Sequence, residues 1–308
     1  NHIEWTYFTY IFAEDPLAPS EAVATIDDGI PVRPEVSGLE GQFHDEFSLG
    51  YERQIGDQYK VGVRGVYREL RQAIEVGFEP NSGQYVLGNP GQGELSFLPE
   101  LKRRYTALEL RVERMAGEGS HLAASYVLSR NRGNYGGLFE AEEGSRIPNN
   151  ANRYLDRIEN QMGLLPNDRT HVLKFYGSRR FDNRLTAGAS FSWQSGTPLS
   201  EFANGLRESD VLFVNPRGSA GRTPAIWDLN ARLSYDLQGV GSGAIEPRLV
   251  LDVFHLFSRR EAVNFDQTHY LSIDENRDPD ANNTNPNYGL PSRFQPPMTV
   301  RLGFEVAF

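Results

Sequence analysis

The last eleven residues of the chain alternate strictly between large apolar side chains and polar or small ones. From Met298 to Phe308 every even-numbered position is apolar, and the odd-numbered positions are Thr, Arg, Gly, Glu and Ala. Successive side chains of a β-strand point to opposite faces of its sheet, so a period of two predicts a strand with one apolar and one polar face. This strand is long for a soluble sheet.

The same alternation recurs along most of the sequence. It predicts ten strands, at residues 4–12, 45–53, 58–68, 106–113, 122–129, 171–178, 185–194, 227–237, 248–257 and 298–308. The first of these is rich in aromatic and β-branched residues but lacks clean alternation. We therefore predict an all-β chain.

The connections between the predicted strands alternate in length. Long ones cover residues 13–44, 69–103, 132–169, 195–223 and 259–295, and the others are shorter. Soluble domains rarely carry several connections beyond about 12–15 residues. Transmembrane β-barrels join their strands by short periplasmic turns and long extracellular loops. The pattern favours an antiparallel transmembrane β-barrel, with the Asp182-Asn183 turn on the periplasmic side.

Aromatic residues fall at the ends of the predicted strands. Trp193 ends one strand and Trp227 begins the next, beside a long connection, so we expect both at the outer membrane interface. Phe181, Tyr235 and Phe308 fall at the opposite ends. Two aromatic girdles are typical of membrane barrels. A soluble β-sandwich binding module, with its Trp residues in a core, is an alternative.

Charged residues fall on the polar face of the predicted strands. Eight of them are Glu109, Arg111, Lys174, Asp228, Arg232, Asp252, Arg301 and Glu305. An arginine that faces lipid at the midplane costs about 2–4 kcal/mol. We therefore expect all eight side chains to face the lumen of the barrel.

Composition excludes several classes of protein. The 308 residues carry 31 Lys+Arg against 41 Asp+Glu, a net charge of −10, which argues against binding to nucleic acid. No stretch approaches the ~20 apolar residues of a membrane-spanning helix. The absence of cysteine from the sequence excludes disulfides, thiolate nucleophiles and cysteine-based zinc sites here.

Several segments resemble the barrel of TonB-dependent outer-membrane receptors. They are residues 45–53, 166–177, 193–199, 252–257 and 289–297. The similarity is greatest to the Oar-like branch, whose members carry a carboxypeptidase-regulatory-like domain before the plug. The family usually has Asn where His255 and Ser258 stand here, a small departure.

The resemblance implies a function and a set of partners. Members of the family have a 22-stranded barrel, a plug that fills the lumen, and a TonB box that recruits the energy-transducing protein TonB. Ten strands are fewer than 22, so we expect residues 1–308 to be the C-terminal portion of such a barrel, without its plug and N-terminal strands. The polar-face charges would then contact the plug. The expected location is the outer membrane of a Gram-negative bacterium, in contact with lipid and lipopolysaccharide.

The C-terminal strand also resembles the signal by which the barrel-assembly machinery recognises its substrates. Phe304, Val306 and Phe308 carry that resemblance, because a terminal aromatic residue closes an alternating strand. Phe308 would also serve as a girdle residue. Both roles are compatible.

Candidates for catalysis are few. The run from Asp168 to His171 lies at the outer end of a strand, and ten-stranded outer-membrane proteases place Asp and His at such a rim. A self-contained ten-stranded barrel with protease activity is thus an alternative to the transporter. Catalysis needs a partner within hydrogen-bond reach, which the sequence does not supply. We expect these residues to anchor loops and predict no enzyme activity.

One acidic loop sets oxygen ligands at alternate positions, as calcium loops do. The residues are Asp274, Asn276, Asp278 and Asp280. An EF-hand has Gly at the sixth position and Glu at the twelfth, where Pro279 and Asn285 stand here. We expect a solvated extracellular loop, with bound calcium as the weaker alternative and no other cofactor.

Overall fold

A computed structural model describes residues 38–115, 119–137, 158–205, 211–237, 246–274, 276 and 278–307. The predicted strand at residues 4–12 and the aromatic residue Phe308 lie outside these ranges. No helix in the described ranges has the length and apolar character needed to cross a membrane.

The described residues form seventeen strands and one short 3-10 helix, Gly93–Leu95. The strands are β1 (Phe43–Ile55), β2 (Tyr59–Gln72), β3 (Glu75–Glu79), β4 (Gln84–Gly88), β5 (Arg103–Met115), β6 (Ser120–Gly133), β7 (Gly163–Leu164), β8 (His171–Arg180), β9 (Leu185–Gln194), β10 (Phe202–Asn204), β11 (Val211–Phe213), β12 (Ile226–Asp236), β13 (Glu246–Phe254), β14 (Ala262–Phe265), β15 (Thr268–Tyr270), β16 (Pro291–Phe294) and β17 (Thr299–Ala307).

Nine long strands form one antiparallel sheet in the order β1-β2-β5-β6-β8-β9-β12-β13-β17, and β7 adds to β6. Each long strand pairs with the long strand that follows it in the chain. Within the described residues the sheet is open, with β1 and β17 at its edges. This meander confirms the predicted all-β, antiparallel barrel-type fold.

Each predicted strand from residue 45 onward corresponds to one long strand, although the predicted ends differ from the observed ones by up to four residues. The strand predicted at residues 248–257 stops at Phe254. The chain then turns, because His255 and Phe257 have positive φ angles of 55° and 60°. The backbone N–H of His255 donates to Asn230 Oδ1 at 3.0 Å, which holds this turn against β12.

The short turns and the long connections lie at opposite ends of the sheet. Residues 56–58 join β1 to β2, and residues 181–184 join β8 to β9. At the other end, the long connections contain the short strands β3, β4, β7, β10, β11 and β14 to β16, which the periodicity did not predict. Small apolar clusters, such as Val86, Leu95 and Leu98, pack within this layer of connections.

The apolar face of the large sheet is exposed. Leu233, Leu251 and Leu302 share one row across β12, β13 and β17. Leu302 is 77% exposed and Leu49 is 83% exposed. A soluble sandwich buries such a face against a second sheet. The sandwich alternative is therefore wrong for the described residues.

Candidate transport surface

The register of the sheet places the eight charged candidates on the face opposite Leu302. One row joins Arg111 of β5 through Ser125 to Lys174 of β8, and from there through Ser192 to Asp228 of β12. A second row joins Arg232, Asp252 and Arg301 on the last three strands. Glu109 lies two residues before Arg111 on β5, and Glu305 lies four residues after Arg301 on β17. These even spacings put both on the same face. The two faces thus differ sharply in polarity.

Asp252 is the centre of an ion cluster on this polar face. The residue is 4% exposed. Arg301 donates to Asp252 Oδ2 through Nε at 3.0 Å and Nη2 at 2.6 Å. Arg232 lies on the other side, with Nε 3.7 Å from Asp252 Oδ1 and Nη2 2.6 Å from Glu305 Oε1. These charges compensate one another across three strands.

Asp228 joins the end of β12 to the turn after β13. Its Oδ1 lies 2.8 Å from His255 Nδ1, and its Oδ2 accepts a hydrogen bond of 2.8 Å from Asn230. The imidazole therefore links two strands at the outer end of the polar face.

Three of the eight candidates lie outside these clusters, and one of them, Arg111 of β5, pairs through Nη2 with Glu113 at 3.1 Å. Glu109 of β5 and Lys174 of β8 form no salt bridge with any residue that the structure describes. Lys174 is exposed and Glu109 is half-buried. These two charges are available to a partner that covers the polar face.

The aromatic candidates lie at the two ends of the strands. Trp193 and Trp227 are directly opposite each other on β9 and β12, next to a long connection. Tyr235 is eight residues further along β12 and 42% exposed. Phe181, at 40% exposure, follows β8 at the short-turn end. Eight residues of strand span about 27 Å, which a tilt of about 35–45° reduces to roughly 19–22 Å along the membrane normal, somewhat less than the ~25 Å apolar band of a barrel.

The last strand presents its apolar residues outward. Phe304 is 62% exposed and Val306 is 45% exposed, both on the face of Leu302. Their partners across β13 are Leu249 and Pro247. The third residue of the expected assembly signal, Phe308, lies outside the described residues.

The run from Asp168 to His171 does not form a catalytic pair. Asp168 is 1% exposed, accepts from the Asn131 backbone N–H at 2.6 Å, and pairs with Arg222 Nη2 at 2.5 Å. His171 Nδ1 instead lies 2.7 Å from the hydroxyl of Tyr126. Asp168 thus fastens β6 to the connection before β12. The partner Arg222 was not predicted, since it is 54 residues away and no local spacing marks it.

A second link between connections was also not predicted. The β9–β12 and β13–β17 connections meet where β10 pairs with β15, at Phe202 and Thr268. Nearby, Glu201 Oε1 lies 2.5 Å from His269 Nδ1, and the His269 ring stacks on Tyr288 at 4.1 Å between centroids. Burial and then the charge of Glu201 raise the pKa of Tyr288. These contacts join two loops into one layer.

The carboxylates of the calcium candidates bind their own backbone. Asp274 Oδ1 accepts hydrogen bonds from the N–H groups of Asn276 and Asp278, at 2.8 and 2.9 Å. Asp280 Oδ1 accepts from the N–H of Asn282. Among the described residues no three His, Cys, Asp or Glu side chains group as metal ligands. Calcium in this loop stays a hypothesis.

The chain is similar to known outer-membrane transporters in sequence and in structure. No protein-family model matches the sequence. The TonB-dependent transporter Oar of Myxococcus xanthus is 32% identical over 250 residues, which are 79% of this chain and 23% of Oar. The outer membrane transporter YddB of Escherichia coli superposes with a TM-score of 0.51 at 10% identity, over 93% of this chain and 35% of YddB. The FrpB iron transporter of Neisseria meningitidis gives 0.51 at 11% identity, over 89% of this chain and 32% of FrpB.

The exposed apolar face, the polar face and the alternating connections define a segment of an outer-membrane β-barrel wall. The two superposed structures share this fold. Together with the sequence relationship to Oar, this shows that the chain belongs to the TonB-dependent outer-membrane transporters. The chain spans about a quarter of the length of its curated relative.

Proposed function

We propose that residues 1–308 form the C-terminal portion of the barrel wall of a TonB-dependent transporter that binds a ligand outside and passes it through a plugged lumen. The apolar face of the large sheet contacts lipid. The polar face contacts the plug, and the long connections form the outer vestibule. TonB acts through segments outside this chain.

The observation that carries this proposal is the division of one sheet into two faces. On β17, Leu302 is 77% exposed, whereas Arg301 reaches the nearly buried Asp252 on the opposite face. A strand in lipid keeps its backbone groups paired with its neighbours, which the continuous ladders satisfy. Charges of both signs suit a wet or plugged lumen better than a dry interior.

Contacts with the plug are proposed for the polar-face charges, above all for Glu109 and Lys174. Both lie on the polar face, on β5 and β8, without a salt bridge to a described residue. A plug segment that carries the opposite charges would satisfy them. We propose further that Phe304, Val306 and Phe308 present the strand to the barrel-assembly machinery.

Transport is favoured over catalysis for this chain. The rim residue Asp168 is buried and held by Arg222, so it is not available as an acid or base. His171 is bound to Tyr126 instead. The relatives are named as transporters, which agrees with a role in uptake rather than hydrolysis.

Spin labels on β17 test the proposed faces. This sequence contains no cysteine, so once any cysteine elsewhere in the intact transporter is replaced, single cysteines at Leu302, Gly303, Phe304 and Glu305 report on their own positions. In the intact transporter in liposomes, we expect labels at Leu302 and Phe304 to be accessible to oxygen, which dissolves in lipid. Labels at Gly303 and Glu305 should be accessible to a water-soluble nickel chelate, or to neither reagent where the plug covers them. Equal accessibility of both sets to the chelate would contradict a lipid-facing surface.

A photo-crosslinking residue tests the plug contact. Placed at Lys174 it should crosslink to a segment of the plug, which mass spectrometry of the digested protein identifies. The matched control is Leu173, the neighbour on the opposite face, which should crosslink to lipid only. A plug crosslink from Leu173 and none from Lys174 would reverse the assignment of the faces.

A further inference from the structure

An open groove of about 730 Å³ lies on the apolar face, across strands β1, β2, β5 and β6. Its floor is one row of the sheet, formed by Leu49, Gly65, Leu108 and Leu128. Gly65 has no side chain, so the row is lowest there, between exposed Leu49 and Leu108. The groove is thus apolar and opens toward the lipid side of the wall.

Arginines border the groove at the end of the sheet that carries the long connections. The next row contains Phe47, Tyr67, Thr106 and Arg130. The row beyond it contains Asp45, Glu69, Arg104 and Arg132 on the same face. Arg130 and Arg132 are exposed and form no salt bridge with any described residue.

The border carries an excess of positive charge. This end of the face carries four arginines but only two carboxylates, those of Asp45 and Glu69. The arginines are Arg71, Arg104, Arg130 and Arg132. Arg104 pairs with Glu69 at 2.7 Å, and Arg71 pairs with Asp45 at 2.7 Å. Two positive charges therefore stay uncompensated among the described residues, although the whole chain has a net charge of −10.

We infer that this groove is a lipid A site, which takes an acyl chain between Leu49 and Leu108 and a phosphate on Arg130 and Arg132. The inference rests on the proposed function, which places the long connections and hence these arginines at the outer leaflet. Guanidinium groups bind phosphate through charge-assisted, often bidentate hydrogen bonds. An apolar groove next to unpaired arginines matches a molecule with hydrocarbon chains beside phosphates. The groove is on the lipid face, so neither the plug nor a transported ligand reaches it.

The acyl part of the site is tested by filling the groove. A Cβ on Gly65 would lie 3.9 Å from its nearest neighbour, the carbonyl oxygen of Leu49, so a side chain can begin here without a clash at its Cβ, and Gly65→Leu adds one inside the groove. The matched control is Gly303→Leu on the polar face, where the nearest atom is also 3.9 Å away. We expect only Gly65→Leu to reduce the lipid A that stays with the transporter.

The phosphate part is tested by charge removal at the two ends of the same face. The variant Arg130→Gln/Arg132→Gln removes two charges beside the groove. The control Arg53→Gln/Arg179→Gln removes two charges from the short-turn end. The intact transporter is purified from outer membranes in mild detergent, and mass spectrometry measures lipid A per protein. Loss of two hydrogen-bonded charges should lower retention by about tenfold or more.

The outcomes separate the site from the proposed function. Heat-modifiable migration in gels confirms that each variant has assembled as a barrel. If assembled wild-type protein retains no lipid A, or prefers phosphatidylglycerol in competition, the groove is not a lipid A site, while the barrel assignment stands. If the Arg53/Arg179 control loses lipid A and the Arg130/Arg132 variant does not, the proposed orientation fails as well. Equal loss in both variants would indicate charge attraction without a site.

Discussion

Arg301 of β17 and Asp252 of β13 lie directly opposite each other, and the guanidinium donates two hydrogen bonds to one carboxylate oxygen. Asp252 is nearly buried, whereas the Arg301 side chain is 63% exposed. The pair therefore joins the edge strand of the described sheet to its neighbour. Arg232 adds a third charge from β12, so three strands share one cluster.

Removal of the Asp252 carboxylate should weaken the wall at this edge. Asp252→Ala leaves Arg301 without its partner, while Arg232 keeps Glu305. Since both arginines are half exposed, we expect a loss of about 1–3 kcal/mol in the free energy of unfolding rather than the larger value of a buried pair. Urea titration of the intact protein in liposomes measures it. Ser234→Ala, an uncharged position on the same face of β12, should change the value by less than half as much.

A charge at position 302 should lower the stability of the barrel in the membrane, and a charge at position 303 should not. Leu302→Arg places a guanidinium on the apolar face, at an expected cost of about 2–4 kcal/mol near the midplane. Gly303→Arg places the same group on the polar face, where a Cβ meets nothing closer than 3.9 Å. The amount of folded protein in outer membranes, and its unfolding in liposomes, compare the two. Similar behaviour of both variants would show that the faces do not differ in environment.

The long strands were predictable because each of them separates two environments. The period of two in segments such as Leu185–Gln194 persists for a whole strand, since one face meets hydrocarbon and the other does not. The end of β13 was not predictable in this way. Phe257 continues the odd-numbered apolar series of Leu249, Leu251 and Val253, but the turn depends on the backbone of His255 and on its contacts with β12.

The layer of connections was not predictable from local patterns. Strands β10 and β15 have three residues each, too few for a period to be visible. They pair across a long stretch of chain, as do Glu201 and His269, which are 68 residues apart. The charges of the polar face were identified by alternation, but their pairing was not, because it depends on the register between strands.

Acid should loosen the turn between β3 and β4. The carboxylate of Glu79 accepts hydrogen bonds from Asn81 N–H at 3.0 Å and Ser82 N–H at 2.6 Å, and the Ser82 side chain, followed by these two N–H groups, lowers its pKa from 4.5 to about 2. A lowered pKa means that the stabilisation is complete above about pH 4.5 and is lost as the pH falls toward 2. Amide exchange at Ser82, corrected for its intrinsic pH dependence, should therefore show less protection at pH 3 than at pH 6. Glu79→Gln should show the same protection at both values.

The link between Asp168 and Arg222 should hold the loop layer on the sheet. Arg222→Ala leaves a buried carboxylate with the Asn131 N–H as its remaining close donor, and removal of one partner of a buried ion pair typically costs about 3–5 kcal/mol. Because Arg222 is about one-third exposed, water offsets part of this, and we expect about 2–3 kcal/mol of local stability to be lost. Hydrogen exchange at Asn131 measures the loss directly, and exchange within β17 serves as the internal control. Asp168→Asn/Arg222→Gln removes both charges and should lose less than Arg222→Ala alone. If the double variant loses more, the buried charge is not what destabilises the single one.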